Sequence, residues 1–150
     1  MAQQPRKRIL IAEDTLFFQA ALRDLFTRAG YDVLAASDGE EALQKIKENL
    51  PRLDLALVDL LMPKMSGFDV LREVRKLEEG KLLPVVAMTS LYHKEAHLDL
   101  LRELNASGYL EKSTPPEEIL YFVNNLLYPI DGNLRRNLRI VAHLPLQYRA

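Results

Sequence analysis

The 150-residue sequence predicts an α/β fold: a doubly wound, five-stranded parallel sheet flanked by five helices. Three observations carry this reading. Short apolar runs alternate with longer stretches whose apolar residues recur at helical spacing. Each run is bounded by charge, Gly or Pro, as strands buried on both faces require. The alternation repeats five times, and right-handed crossovers between parallel strands then place helices on both sides of the sheet. Periodicity alone leaves the strand order open, with 2-1-3-4-5 the common choice.

Ile9 to Ala12 is a short strand bounded by charge. Thr15 to Ala29 follows with Leu16, Phe17, Ala20, Ala21, Leu22, Leu25 and Phe26 as its apolar positions, and Gly30 is placed to end that helix. Tyr31 to Ala35 reads as the second strand. Ser37 or Asp38 caps a helix from Glu40 to Asn49 that turns Ala42, Leu43 and Ile46 inward before Pro51. Leu55 to Val58 is the third strand and Phe68 to Leu77 the third helix; Pro84 introduces the fourth strand, Val85 to Met88. Ala96 to Leu104 makes the fourth helix and Gly108 to Leu110 the fifth strand. Pro115-Pro116-Glu117-Glu118 opens the last helix, through Leu127, where a missing proline N–H costs least.

Composition bounds the function. The length allows one ordinary domain and a short extension. A net charge of −1 gives no global signal for nucleic acid, and no apolar run approaches the roughly 20 residues of a membrane span. Cysteine is absent, which excludes disulfides and thiolate metal sites, and the start of the chain lacks the apolar core of a signal peptide, so a cytoplasmic location is expected. The charge is unevenly spread: residues 1–130 hold 16 basic and 20 acidic residues, whereas 131–150 hold 4 and 1. Residues 7–128 are therefore expected to form the domain, and 129–150 a linker and basic extension.

The polar residues at the strand ends carry the chemistry. Glu13 and Asp14 follow the first strand, Asp59 the third, Thr89 the fourth and Lys112 the fifth. A parallel sheet gathers them at one edge, where doubly wound folds bind ligands. Three carboxylates brought together repel unless a cation compensates. Oxygen ligands without cysteine or a strand-end histidine favour Mg2+ and tolerate Mn2+, and Mg2+ keeps sites open for water and phosphate. Lys112 and the Thr89 hydroxyl can meet phosphoryl oxygens, which leaves Asp59 as the acceptor in a phosphoryl transfer.

At this point residues 7 to 128 closely resemble the receiver domain of two-component response regulators, a flavodoxin-like fold. The resemblance rests on Glu13-Asp14, on Asp59 within Val58-Asp59-Leu60-Leu61-Met62-Pro63-Lys64-Met65-Ser66-Gly67, on Thr89-Ser90, and on Gly108-Tyr109-Leu110-Glu111-Lys112. It implies that Asp59 is phosphorylated by a partner histidine kinase or a small phosphodonor. It further implies that Glu13, Asp14, Asp59 and the Leu61 backbone carbonyl hold the metal, and that Thr89 and Lys112 contact the phosphoryl group. Tyr109 matches the family's switch aromatic. Output would pass through the surface of the fourth helix, fifth strand and fifth helix, which could also form a homodimer.

Some positions depart from the pattern. Ser113 stands where the family usually has proline after the lysine, often in a cis bond, which puts that loop's geometry in question. Leu61 and Leu91, two beyond Asp59 and Thr89, cannot orient an attacking water, so slow self-dephosphorylation is expected. Leu61 also argues against the main rival, a haloacid-dehalogenase-like phosphatase, which carries a second acid there. A cofactor binder of the same architecture is disfavoured by the acids of the first loop, which would repel a bare phosphate. A degenerate receiver serving only as a scaffold is disfavoured by residue identity. His93 and His97 are four apart, but no third ligand follows, and exposed helix residues account for them better than a metal site does.

The tail is a different kind of segment. Arg135 and Arg139 form R-x-x-x-R, and Ile140 to Tyr148 alternates as a strand lacking a sheet. This resembles the start of a PilZ domain, whose arginines grip cyclic di-GMP, over barely 20 residues; an arginine-rich extension packed on the domain is an equal alternative. The chain ends before a later PilZ motif could occur, so tight dinucleotide binding is not expected of it. No helix-turn-helix is present, so no DNA contact is expected.

Overall fold

A computed structural model of the protein describes residues 6–90 and 95–129, together with the backbone of 139–140. The elements run β1 (Arg8–Ala12), α1 (Leu16–Arg28), β2 (Asp32–Ala36), α2 (Gly39–Asn49), β3 (Leu55–Asp59), α3 (Gly67–Lys76), β4 (Val85–Thr89), α4 (Glu95–Glu103), β5 (Gly108–Glu111), α5 (Pro116–Leu127) and β6 (Arg139–Ile140). All pairings are parallel, and the first five strands lie in the order 2-1-3-4-5 with β2 at one edge.

A two-residue strand extends this sheet. β6 pairs with β5 in the register Gly108↔Arg139 and Tyr109↔Ile140, so the start of the tail strand has a sheet after all. Alternation within the segment could not reveal a partner supplied by a strand about thirty residues earlier. Arg135 and residues 141–148 lie outside the described residues. Two 3-10 turns, Leu50–Arg52 and Glu78–Gly80, also escaped the sequence reading, being too short for a periodic signal.

Alternation along the strands divides the core. Ile9, Ile11, Leu55, Leu57, Val86, Met88 and Leu110 face α1 and α5. Leu10, Ala12, Ala56, Val58, Val85, Ala87 and Tyr109 face α2, α3 and α4. β3, like β4, is buried throughout, which places Asp59 at the end of a fully covered strand. The Asp54 that interrupts this apolar stretch accepts the Arg8 backbone N–H at 2.8 Å, while Arg8 Nε donates to Asp32 at 2.6 Å. That charge therefore closes the edge of the sheet opposite the strand-end acids.

The inward face of α1 departs from expectation. Leu16 and Phe17 are exposed, as are Ala20 and Ala21, and the buried stripe is Gln19, Leu22 and Phe26 with Phe18 partly covered. Apolar residues occupy both sides of this helix, so spacing could not choose between them. The choice falls on the side where Gln19 satisfies its amide: it donates to Glu13 O at 2.9 Å and Ala36 O at 3.0 Å. Caps explain the next starts. Asp38, rather than Ser37, caps α2 by accepting the Glu41 N–H at 2.8 Å, and Ser66 caps α3 by accepting that of Asp69 at 3.1 Å.

Candidate functional site

Parity along the strands decides which side chains meet. Glu13 continues the side of Ile9 and Ile11, Asp59 that of Leu55 and Leu57, and Lys112 that of Leu110, all toward α1 and α5. Thr89 and Tyr109 fall on the opposite face, toward α3 and α4. One edge of the sheet thus holds an acidic cluster on one side and a hydroxyl and an aromatic on the other.

Glu13, Asp14 and Asp59 each present an oxygen within 4.8 Å of the others. Glu13 and Asp59 are buried, and Asp14 is the least covered of the three. Lys112 reaches between the two buried acids: Nζ donates to Glu13 Oε2 at 2.9 Å and to Asp59 Oδ2 at 3.0 Å. It also lies 2.9 Å from Glu13 Oε1, but without the direction of a hydrogen bond, so that buried oxygen keeps a lone pair unused. Backbone donors complete the cluster. Thr15 N–H donates to Glu13 Oε2 at 2.8 Å and Leu61 N–H to Asp59 Oδ1 at 3.0 Å.

Local sequence makes this arrangement possible. A Cβ on Gly67 would lie 2.4 Å from Asp59 O, so only glycine lets α3 begin against the Asp59 backbone. Lys112 N–H donates to Thr89 O at 2.9 Å, tying the ends of β4 and β5 together. The Lys112–Ser113 bond is trans, as is every peptide bond among the described residues. Tyr109 is fully buried beneath α4. The Leu61 side chain is 48% exposed and brings no polar atom to the cluster.

Electrostatics follow from burial. Loss of water pushes the Asp59 carboxyl up from 3.8 to about 6; the charge on Glu13 adds to this, against the Leu61 N–H and Lys112, which favour the anion. Burial pulls Lys112 down, but its hydrogen bonds to Glu13 and Asp59 outweigh that and leave it raised. The site is thus an acid-rich cluster that the Lys112 ammonium only partly balances. Hard oxygen donors, a buried Glu13 oxygen with a lone pair to spare and uncompensated negative charge fit a divalent cation such as Mg2+.

The sequence-predicted residues Glu13, Asp14, Asp59 and Lys112 therefore come together, with Thr89 joined through its backbone and Tyr109 on the other face. Leu91 and His93 lie outside the described residues, and only the backbone of Arg139 is described. His97 is in a tilted ring contact with Phe68 at 5.2 Å, and its Nδ1 is buried without a hydrogen-bond partner. Two neighbours were missed. Gln19 holds the Glu13 carbonyl, and the Phe18 ring lies 5.2 Å from Lys112 Nζ. The i, i+4 series Phe18, Leu22, Phe26 was the available signal.

Comparison with known proteins points the same way. A family model described as the response regulator receiver domain matches residues 9–124. A probable transcriptional regulator, ycf27, of Porphyridium aerugineum is 32% identical over 126 residues, covering 84% of this chain and 50% of that protein. The chain thus spans about half the length of that curated relative. The chemotaxis protein CheY4 of Vibrio cholerae superposes with a TM-score of 0.76 at 28% identity, covering 82% of this chain and all of that one. A CheX-CheY-BeF3-Mg2+ complex from Borrelia burgdorferi superposes with a TM-score of 0.73 at 28% identity, covering 80% of this chain and 88% of that one. Among the described residues, no helix is long and apolar enough to cross a membrane.

Proposed function

The chain belongs to the response regulator receiver family, and we propose that it is a phosphoacceptor switch in which Asp59 takes a phosphoryl group from a histidine kinase. The observation that carries this reading is the Lys112 ammonium held at 2.9 Å from Glu13 and 3.0 Å from Asp59, within a cluster of three acids. In the transfer an Asp59 oxygen attacks phosphorus. The P–N bond of the phosphohistidine breaks, its electron pair stays on the imidazole, and that nitrogen takes up a proton. With a small phosphodonor the leaving oxygen keeps the pair instead.

Asp59 is the nucleophile, and its Oδ1 is oriented by the Leu61 N–H. Glu13, Asp14, Asp59 and the Leu61 carbonyl would hold Mg2+, or Mn2+ in its place. When bound, the cation neutralises the acids and the incoming phosphoryl oxygens. The relative described with Mg2+ and BeF3, a phosphoryl mimic, supports this assignment. Lys112 follows the phosphoryl oxygens and Thr89 donates its hydroxyl to one of them. The family setting implies a cytoplasmic location.

Output is assigned to the α4–β5–α5 surface, with Thr89 and Tyr109 as its links to the site. Both lie on the α3–α4 face, and this shared face supports their coupling. The tail joins the outer edge of β5 at Tyr109 itself, which supports reading 129–150 as the segment that conveys output, to a homodimer partner or to a following PilZ-like domain in which Arg135 and Arg139 would serve.

The test is incubation with acetyl phosphate and Mg2+ followed by intact-mass measurement. The reading requires one added phosphoryl group that is absent in Asp59→Asn. A haloacid-dehalogenase-like phosphatase would turn the donor over, and a degenerate scaffold would leave donor and protein unchanged; either outcome overturns it.

A further inference from the structure

Lys112 has three N–H donors but only two carboxylates to receive them. Two donors are spent on Glu13 Oε2 and Asp59 Oδ2. A further side of the ammonium meets the Phe18 ring, whose centroid lies 5.2 Å from Nζ. That is within the distance at which a ring's quadrupole attracts a cation, and the lysine side chain is only 17% exposed, so little water screens the pair.

Phe18 is seated to do this. It lies in the first turn of α1 and packs against the cluster of Leu22, Phe26 and Leu110. Its neighbours Leu16 and Phe17 are exposed, so the helix turns this one aromatic of the turn toward the lysine. Gln19 pins the same turn of α1 to the Glu13 carbonyl, which fixes the ring relative to the acids.

We infer that Phe18 is a positioning residue for phosphoryl transfer, holding the Lys112 ammonium over the acceptor carboxylate by a cation–π contact; this rests on the function proposed above. An unbranched lysine stem can swing toward water when its carboxylate contacts are disturbed, as they are once Asp59 carries a phosphoryl group. The ring opposes that swing without competing for the anion, because it offers a negative face and no hydrogen-bond acceptor. An aliphatic side chain would fill the same space and lack that attraction.

The experiment compares Phe18→Leu, Phe18→Met and Phe18→Trp with the unmodified chain, by initial phosphorylation rate with acetyl phosphate and Mg2+ and by thermal melting. Leu and Met are expected to lower the rate roughly threefold to tenfold, and Trp, the strongest cation–π partner, to keep it near the original or above. Melting is included because Met, unbranched and flexible, can adapt to the space the ring vacates if branched Leu leaves a destabilising gap. Equal rates across the series, or Trp falling with Leu and Met, overturns the inference. An unmodified chain that takes up no phosphoryl group instead removes the functional reading beneath it.

Discussion

Gly39 and Met65 approach so closely that a Cβ on Gly39 would sit 2.1 Å from the Met65 carbonyl oxygen. The first turn of α2 is thereby seated on the loop that leads from Asp59 into α3. Gly39 N–H donates to Pro63 O at 3.3 Å, and Asp38 pairs with Lys64 at 3.6 Å beside it. Gly39→Ala must displace backbone, since the obstructing atoms belong to the loop itself. The substitution should cost about 1–3 kcal/mol, typical of overpacking, and show as an earlier urea midpoint. An unchanged midpoint would mean the loop yields freely.

The same helix start supplies a pH dependence. Asp38 is lowered chiefly by the Glu41 N–H that it caps, and Glu41 chiefly by the Ser37 N–H, with Lys45 helping. Carboxyls with depressed folded-state pKa values stabilise the fold fully above their unfolded values. That stability disappears as pH falls through the lower, folded values. Asp38→Asn with Glu41→Gln should therefore flatten the acid side of the stability–pH curve measured by urea melts. Curves of the same slope would argue against the cap.

Asp59 has the opposite sign. Its pKa rises from 3.8 to about 6 on folding, so the fold loses stability as pH climbs through that window. At neutral pH without metal, Asp59→Asn should relieve a strain on the order of 2 kcal/mol and raise the melting temperature by several degrees. Mg2+ should stabilise the unmodified chain and have much less effect on the variant. A lower melting temperature for metal-free Asp59→Asn would contradict this account.

Loss of the phosphoryl group should be slow. The exposed Leu61 side chain offers no polar atom to align a water at the acceptor. Purified phosphorylated chain, freed of donor and followed by intact mass, should persist well beyond a minute. Complete hydrolysis within seconds would show that another group orients the water.

Removing residues 130–150 tests the sixth strand. Lys112 N–H donates to Thr89 O in β4, so by alternation the backbone groups of Leu110 and Gly108 also face β4, and those of Tyr109 face the outer edge where β6 lies. Truncation should speed hydrogen exchange at the Tyr109 amide and leave the β4 amides unaffected. Uniform exchange rates before and after truncation would show that the pairing contributes no protection.

Much of this protein was legible before folding. Five apolar runs, each short and continuous, could be buried only on both faces of a parallel sheet, and that forces their polar ends to a common edge. Glu13, Asp14, Asp59 and Lys112 are readable for that reason: the chain places each one within two residues of the end of its run. Tertiary structure alone decided three things. It selected the Phe18–Gln19 side of α1 over the Leu16–Phe17 side, because Gln19 finds carbonyls only there. It sorted Glu13, Asp59 and Lys112 onto one face and Thr89 and Tyr109 onto the other, since parity acquires a direction only when helices cover the sheet. It also joined Arg139–Ile140 to β5, a contact between segments whose separation along the chain leaves no local trace.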